Sequence, residues 1–275
     1  MKLAYLGPEG TYSEQAAIDY AADSERIPYS GIPAVVKAAE SGEVQEAIVP
    51  IENSLEGAVT YTVDLLIHES PLKIRGEIVV PIHHQLLMPP GVRMEDVRVV
   101  YSHPQAIAQC RGFLSRNLPI AEHVASLSTA SAVEDMKSSR YPAAAISSRR
   151  AAELFNVAIA ETDIEDIHNN LTRFVVLGAE DGRRTGKDKT SICFDFSHDA
   201  PGTLYNTLGE LAQREINMIK IESRPDRRSL GKYVFLIDMD GHREDPIVSD
   251  ALDAMKERAA IFKIFGSYPK APSVG

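Results

Sequence analysis

The stretch AEDGRRTGKDK, residues 179–189, separates two parts of the chain that follow different hydrophobic patterns. It holds two glycines and seven charged side chains and has no large apolar residue, a composition typical of a linker. Before it, residues 1–178 repeat a short apolar run, a turn rich in Gly, Pro, Ser or Asn, and a helical stretch. After it, residues 190–270 follow another order of strands and helices. We therefore expect two domains joined by this linker.

The first part is predicted to be an α/β domain, because its short apolar runs alternate with helical stretches. The runs lie at residues 2–6, 46–51, 97–101, 143–146 and 173–177, and residues 78–88 are a further strand candidate. Strands of this length separated by helices favour a parallel sheet. A faint repeat relates the segment after Tyr5 to the segment after Tyr101, which indicates two similar lobes with a cleft between them.

The second part is predicted to follow the order strand, helix, strand, strand, helix, strand. The strands are expected at residues 190–196, 218–223, 233–239 and 262–268, the helices at 201–214 and 246–260, and a turn at 226–232. Pro201 and Pro246 suit the first turn of a helix. This βαββαβ order in about 80 residues is typical of the ferredoxin-like fold.

Charge and composition limit the classes of partner. The 275 residues include 29 basic and 39 acidic side chains, so the net charge of −10 argues against a nucleic acid or an anionic membrane. No apolar run approaches the ~18 residues that cross a bilayer, and the N-terminal apolar stretch is too short for a signal peptide. Two cysteines, Cys110 and Cys193, are too few for a disulfide scaffold or a cysteine zinc site. We expect a cytoplasmic protein without a cofactor.

Polar residues follow several predicted strands at the points where helices begin. These junctions lie at residues 10–13, 52–54, 102–103, 128–129 and 147–148. In open α/β sheets ligands bind beyond the carboxyl ends of the strands, and helix N-termini attract anions. Any single Ser, Thr or Asn here could instead only cap its helix. Together the five junctions favour a small anionic ligand.

Several common catalytic signatures are absent from the sequence. It contains no Walker loop and no G-x-G-x-x-G after a strand, no G-x-S-x-G elbow and no H-E-x-x-H pattern. His83 and His84 are adjacent, so on a strand they point to opposite sides and cannot both bind one metal. We therefore predict no metal site and a structural role for this pair.

The motif Asn-Leu-Thr-Arg-Phe at residues 170–174 resembles the Thr-Arg-Phe signature of prephenate dehydratases. Other motifs extend the resemblance over essentially the whole chain. They read Gly-Pro-Glu-Gly-Thr-Tyr-Ser at 7–13, Pro-Ile-Glu-Asn-Ser at 50–54, Tyr-Ser-His-Pro-Gln at 101–105 and Glu-Ser-Arg-Pro at 222–225. The last of these resembles the phenylalanine-responsive motif of the family's ACT domain. The resemblance implies a bilobal catalytic domain like the periplasmic binding proteins at 1–178, followed by a ferredoxin-like ACT domain at 190–270.

The resemblance also implies a reaction. Prephenate, a dianion, would lose carbon dioxide and water to give phenylpyruvate, and formation of the aromatic ring would drive the step without a metal or redox cofactor. The enzyme must align the leaving carboxylate and donate a hydrogen bond or proton to the departing hydroxyl. Two alternatives stay open: an arogenate dehydratase, and a non-catalytic sensor that binds an amino acid or another carboxylate. Because no helical domain precedes Lys2, chorismate mutase activity is not expected.

Residue roles follow from the resemblance. The expected catalytic residues are Thr172, Glu52, Asn53 and Gln109, and the expected substrate-binding residues are Thr11, Ser13, Ser54, Thr129, Arg173 and Phe174. Thr172 is placed at the leaving hydroxyl, where it would orient the group or relay a proton. Glu52 and His103 are the candidate proton donors. Strand alternation would point Arg173 away from Thr172, so a structural ion pair is the alternative role for Arg173.

The ACT resemblance implies inhibition by L-phenylalanine. The expected effector-binding residues are Gly202, Leu204, Asn217, Glu222, Ser223, Arg224 and Pro225. The family's Gly-Ala-Leu reads Gly202-Thr203-Leu204 here, so the bulk of Thr203 leaves the affinity and sign of regulation open. ACT domains pair, which predicts a homodimer or a dimer of dimers. A dimerisation module without a ligand is the alternative.

Overall fold

The computed structural model describes residues 1–197, 200–226 and 232–272. Residues up to 178 form two lobes, each built on its own sheet, and a third sheet follows. The predicted turn at 226–232 lies mostly outside the described residues. In the described part of the chain, no helix has the length and apolar character that crossing a membrane requires.

The elements of the first domain follow in chain order. Its strands are β1 (Lys2–Leu6), β2 (Glu25–Tyr29), β3 (Glu46–Asn53), β4 (Gly57–Ala58), β5 (Lys73–Pro81), β6 (Gln85–Met88), β7 (Val99–Ser102), β8 (Glu122–Ala125), β9 (Ala143–Ser147), β10 (Ala158–Glu161) and β11 (Leu171–Gly178). Its helices are α1 (Tyr12–Tyr20), α2 (Ile32–Glu40), α3 (Thr60–His68), α4 (Pro104–Gln109), α5 (Arg111–Asn117), α6 (Ser131–Lys137) and α7 (Arg149–Phe155), with a 3-10 turn at Met94–Asp96.

Lobe 1 is a mixed sheet in the order β2-β1-β3-β11-β5, with β4 paired to β3. Strand β1 runs parallel to β2 and β3, whereas β11 is antiparallel to β3 and β5. The expected parallel arrangement is confirmed for β1, β2 and β3 and is wrong for β11, the run predicted at residues 173–177. Thr172, at the start of β11, pairs with Asn53, at the end of β3. Because β11 enters lobe 1 beside the end of β3, it has to run in the opposite direction.

Lobe 2 has the order β10-β6-β9-β7-β8, and β6 runs antiparallel to β9 for the same reason. The predicted strand at residues 78–88 is two strands, β5 and β6, which belong to different lobes. The chain crosses between the lobes at residues 82–84 and again at 162–170, and we call these two segments the hinge. They are joined by backbone hydrogen bonds from Ile82 to Asn170 and from Ile164 to His84, of 2.8 and 2.9 Å.

The second domain has the predicted order of elements. They are β12 (Asp188–Asp195), α8 (Thr203–Ala212), β13 (Met218–Pro225), β14 (Tyr233–Asp240), α9 (Pro246–Arg258) and β15 (Ile261–Pro269). The strands form an antiparallel sheet in the order β13-β14-β12-β15. Strand β12 begins two residues inside the predicted linker, because Asp188 and Lys189 are buried and pair with β15.

The two faces of this second sheet have different neighbours. One face packs against α8 and α9 through buried side chains such as Ile237 and Leu252. The other packs on lobe 1, where Cys193, Phe265 and Tyr268 share a core with Ile74. The second domain therefore rests directly on the strands that lead into the cleft of the first.

Candidate active site

A cavity of about 1120 Å³ lies in the cleft between the lobes. Eight residues singled out from the sequence line it: Thr11, Ser13, Asn53, His103, Gln109, Thr129, Thr172 and Phe174. They come from both lobes, and the hinge residues Ile82, His84 and Asn170 complete the wall. A cleft of this size, lined by apolar side chains and a few convergent polar groups, is a typical small-molecule site.

Asn53 holds Thr172 in a fixed place at the cleft wall. The Nδ2 of Asn53 donates to Thr172 Oγ1 at 2.9 Å and to Asn170 Oδ1 at 2.7 Å. The Oδ1 of Asn53 accepts from the backbone N–H groups of Leu55 and Glu56, so both ends of the amide are engaged. Asn53 and Thr172 are both at least nine-tenths buried. Because Thr172 Oγ1 accepts from Asn53, its own proton can be donated to a ligand in the cleft.

Gln109 extends this hydrogen-bond network from lobe 2. Its Oε1 accepts from Asn170 Nδ2 at 3.0 Å and lies 2.9 Å from His84 Nε2. Its Nε2 donates to Glu56 of lobe 1 at 3.3 Å. Burial lowers the pKa of His84, which keeps the imidazole neutral near pH 7, and the acceptor at Gln109 assigns its proton to Nε2. The network therefore joins both lobes through the hinge and ends at Thr172.

Both domains match models of known protein families. A model described as prephenate dehydratase matches residues 3–182, and a model of the ACT domain matches residues 191–257. The chain belongs to the prephenate dehydratase family.

Three relatives agree with this assignment over nearly the whole chain. A bifunctional chorismate mutase/prephenate dehydratase of Aquifex aeolicus is 42% identical over 273 residues, 98% of this chain and 74% of that protein. A prephenate dehydratase of Bacillus subtilis is 34% identical over 98% of each chain. The crystal structure of the Arthrobacter aurescens prephenate dehydratase in complex with L-Phe superposes with a TM-score of 0.89 at 36% identity, covering 98% of this chain and 90% of that one. The bilobal fold with a C-terminal ACT domain is thus the family's fold.

Two residues expected at the prephenate dehydratase site lie elsewhere. Glu52 and Arg173 face away from the cleft, because side chains alternate along a strand and their neighbours Asn53 and Thr172 face into it. Arg173 donates to Glu52 Oε2 at 3.0 Å and pairs with Asp238 of the ACT sheet at 2.9 Å. The expectations that Glu52 donates a proton to the substrate and that Arg173 binds it are corrected by this geometry. Arg173 instead forms structural ion pairs with Glu52 and Asp238, the alternative role that strand alternation predicted.

Ser54 also lies outside the cleft wall. Its Oγ accepts from the backbone N–H of Leu171 at 2.9 Å and donates to the carbonyl of Asn169 at 3.1 Å. Ser54 therefore ties the end of β3 to the start of β11 and supports the Asn53–Thr172 pair without lining the cavity.

Three of the polar junction residues, Thr11, His103 and Ser148, cap helices, as the alternative interpretation allowed. Thr11 accepts from the backbone N–H of Glu14 at 3.3 Å at the start of α1. Ser148 caps α7 and donates to the carbonyl of Gly10 at 2.6 Å, across the two lobes. Arg150 of lobe 2 also pairs with the buried Glu14 of lobe 1 at 3.1 Å. The Ser148 hydrogen bond and the Arg150–Glu14 ion pair hold the lobes together at α1 and α7. Ser13 and Thr129 line the cavity.

His103 remains at the cleft as the candidate proton donor. Its Nδ1 accepts from the backbone N–H of Gln105 at 3.3 Å at the start of α4. Desolvation lowers the pKa of His103, so the neutral ring is favoured at neutral pH, with its proton on Nε2. His103 can thus donate a hydrogen bond into the cavity that it lines.

The adjacent histidines of the hinge contact the same carboxylate through different groups. His83 Nδ1 lies 2.9 Å from Oε1 of the buried Glu165, and the backbone N–H of His84 donates to Glu165 Oε2 at 2.8 Å. His83, Asp163 and Glu165 bring ligand atoms within 4.8 Å of one another and are of the types that bind divalent metals. Hydrogen bonds within the chain already satisfy both oxygens of Glu165.

The expected effector residues divide between two surfaces of the ACT domain. Gly202, with φ of 87°, precedes α8, and Leu204 lies in its first turn. Along β13, Glu222 and Arg224 face lobe 1, where Arg224 lies 3.4 Å from Asp64. Ser223 and Pro225 alternate to the other face and are exposed. Asn217 lies just before β13, with its Nδ2 3.5 Å from Asp240.

The burial of His84 predicts how stability depends on pH. Because its pKa in the folded state lies below the ordinary 6.5, the unfolded chain binds a proton first as the pH falls below about 6.5. Stability contributed by neutral His84 is therefore present above that pH and is lost as the pH falls. We expect His84→Gln to lose less stability than the wild type between pH 7.5 and 5.5, measured by urea denaturation.

The exposed His123 provides the control for this measurement. His123→Gln should follow the wild-type pH dependence. Equal pH dependence of the wild type and the His84→Gln variant would contradict the assignment of a neutral, buried His84.

Proposed function

We propose that the cleft binds prephenate and converts it to phenylpyruvate. The ring carboxylate leaves as carbon dioxide, and its bonding electrons enter the ring as the ring hydroxyl departs. The departing hydroxyl takes a proton and becomes water. The observation that carries the proposal is the Asn53–Thr172 hydrogen bond of 2.9 Å at the cleft wall. It presents one oriented hydroxyl donor, which this reaction needs at the leaving group.

Thr172 donates a hydrogen bond to the departing hydroxyl rather than acting as a full acid, because a threonine hydroxyl gives up its proton poorly. His103 lines the same cavity and, with its proton on Nε2, donates a hydrogen bond to the departing hydroxyl. A neutral imidazole does not give up this proton, so the proton that completes the water molecule comes from solvent, through the protonated imidazolium form of His103. The N-terminus of α1, capped by Thr11, favours one carboxylate of the dianion. Ile82 and Phe174 supply the apolar wall for the ring.

Turnover of prephenate at neutral pH, followed as phenylpyruvate, tests this proposal. The Thr172→Ala protein controls for spontaneous acid decomposition. Arogenate, whose side chain carries an ammonium group, is assayed in parallel because one contact can decide between a keto and an amino substrate. If the protein converts arogenate but not prephenate, arogenate is the substrate. Binding without turnover of either would favour the carboxylate-sensor alternative.

The ACT domain is proposed to bind L-phenylalanine and to inhibit the enzyme. The match to the ACT family and the L-Phe held by the Arthrobacter relative support this regulation. We expect L-phenylalanine in the millimolar range or below to lower kcat/KM by a factor of 5–150, the usual size of allosteric coupling. Steady-state kinetics and thermal melting across millimolar phenylalanine measure it. Unchanged activity and an unchanged melting temperature would contradict the sensor and favour the dimerisation module.

We further propose that the ACT domain pairs with a second copy of the chain, giving a homodimer or a dimer of dimers. The edge strand β13 exposes Ile219 and Ile221, and α8 exposes Tyr205 at 79% of its surface. Apolar side chains beside an unpaired strand edge favour association between identical chains. We expect Ile221→Lys to reduce the mass measured by light scattering, whereas Ile120→Lys, at an exposed site of lobe 2, should not. An unchanged mass of the Ile221→Lys variant would contradict this edge as the interface.

A further inference from the structure

A chain of ion pairs connects the effector motif with the strands that hold Asn53 and Thr172. It begins at Arg224, which pairs with Glu222 at 3.0 Å, and Glu222 pairs with Lys220 at 3.2 Å. Lys220 then crosses to the first domain, where its Nζ lies 2.9 Å from Glu52 Oε1. Glu52 pairs with Arg173 at 3.0 Å. The chain thus runs along one face of β13 and ends on β3 and β11.

A second connection anchors the same arginine to the neighbouring ACT strand. Arg173 lies 2.9 Å from Asp238 on β14 and 3.3 Å from Glu77 on β5. Glu77 also accepts from Lys189 of β12 at 2.9 Å, and Asp238 accepts from Ser191 at 2.6 Å. Arg173 is therefore held at once by two strands of lobe 1 and one strand of the ACT sheet.

Burial makes these contacts resistant to independent motion. The side chains of Arg173, Asp238 and Glu77 are 14%, 11% and 4% exposed. Charges at this depth have few alternative partners in water, so breaking one pair leaves an uncompensated charge. A displacement of β14 is then passed to Arg173 instead of being absorbed by side chains that swing into solvent. A displacement of β13 reaches Glu52 through the ion pairs of Lys220, whose side chain is 24% exposed.

Strand register converts such a displacement into a change at the cleft. Arg173 pairs with Glu52 across β11 and β3, and the next register pair is Thr172 with Asn53. Glu52 is thus the chain neighbour of the cleft residue Asn53, and Arg173 is the neighbour of Thr172. Any shift of Arg173 relative to Glu52 changes the spacing of the Asn53–Thr172 hydrogen bond on the other face of the same two strands.

We propose that Glu52, Arg173 and Lys220 are positioning residues that carry the state of the ACT domain to Asn53 and Thr172. The inference rests on the proposed function, because the effector is L-phenylalanine and the output is prephenate turnover. It differs from a role of Glu52 or Arg173 at the substrate, since neither side chain lines the cleft.

Lys220→Met tests the proposal, because it removes the single side chain that joins the β13 part of the chain to Glu52. Lys263→Met is the matched control. Lys263 also lies in the ACT sheet and donates across the domain interface, at 2.8 Å to the carbonyl of Ser70. Within the described part of the chain its side chain has no hydrogen bond or ion pair with β3 or β11. For each full-length protein, kcat and KM are measured with and without saturating phenylalanine, and phenylalanine affinity is measured by calorimetry.

We expect Lys220→Met to bind phenylalanine within about threefold of the wild-type affinity. The change in kcat/KM caused by phenylalanine should fall by at least about threefold, a partial loss of the usual coupling because the Arg173–Asp238 pair still joins the domains. Lys263→Met should retain the wild-type response. Wild-type coupling in Lys220→Met, or equal loss in both variants, would overturn the relay while leaving the proposed function intact. A wild type that turns over prephenate but ignores phenylalanine would overturn the regulation and the relay together. In the double variant Glu52→Gln/Lys220→Met the coupling should be no weaker than in Lys220→Met, and additive losses would contradict a shared path.

Discussion

Thr172→Ala is expected to lower kcat for prephenate by about 100-fold or more, the usual effect of removing one oriented donor from a transition state. The substitution removes the hydroxyl that accepts from Asn53 and donates to the leaving group. It should change folding little, because Asn53 Nδ2 keeps Asn170 Oδ1 at 2.7 Å as its partner. Steady-state kinetics give kcat, and the melting temperature reports the fold.

Thr172→Ser provides the matched control for this prediction. Serine keeps the hydroxyl and loses only the methyl group, so we expect it to retain most of the turnover. A Thr172→Ala protein with near-wild-type kcat would remove Thr172 from the mechanism. Loss of activity together with a large fall in melting temperature would assign the residue to the fold instead.

Arg173→Met should have the largest effect on stability, with a loss of about 3–5 kcal/mol in the free energy of unfolding. The substitution leaves the carboxylates of Glu77 and Asp238, 4% and 11% exposed, without their shared cation. Lys189 still reaches Glu77 at 2.9 Å. Among the described residues, Asp238 would keep the hydroxyl of Ser191 as its only hydrogen-bond donor. The midpoint of urea unfolding and the melting temperature measure the loss.

Arg93→Met is the control for the arginine prediction, because Arg93 forms an exposed pair with Asp96 at 2.8 Å. Exposed pairs contribute little to stability, so this variant should unfold at the wild-type midpoint. An Arg173→Met protein as stable as the Arg93→Met protein would contradict a structural ion pair between the domains.

The sequence predicted those parts of the fold in which the hydrophobic pattern is strong and local. The order of the ACT elements follows from their hydrophobic pattern, and β1 matches its apolar run at residues 2–6. Pro246 begins α9 as predicted, but Pro201 lies before the N-cap Gly202 of α8 and not in its first turn. The edge strands β2, β8 and β10 were missed because each has only four or five residues, none of them buried. The crossing at residues 82–84 was missed because it interrupts an apolar stretch by only three residues.

The sequence predicted most of the residues that form the candidate site. It predicted only in part which of these side chains point into the cleft. The motifs bring Asn53, Thr172 and Gln109 to one cleft, although Asn53 and Thr172 are 119 residues apart in the chain. A motif does not specify which face a residue occupies, and this led to the misplacement of Glu52. Strand alternation did indicate the correct alternative for Arg173. The sequence predicted only a structural role for His84. Its contact with Gln109 depends on how the hinge and lobe 2 come together, which the sequence pattern does not show.

Formation of phenylpyruvate from prephenate at neutral pH by the purified protein, set against the Thr172→Ala protein, tests the central claim most directly. We expect saturable turnover by the wild type, inhibited by phenylalanine, and a rate for Thr172→Ala that is lower by about 100-fold or more. Phenylpyruvate formation at the same rate by both proteins, or by neither above the spontaneous background, would contradict it.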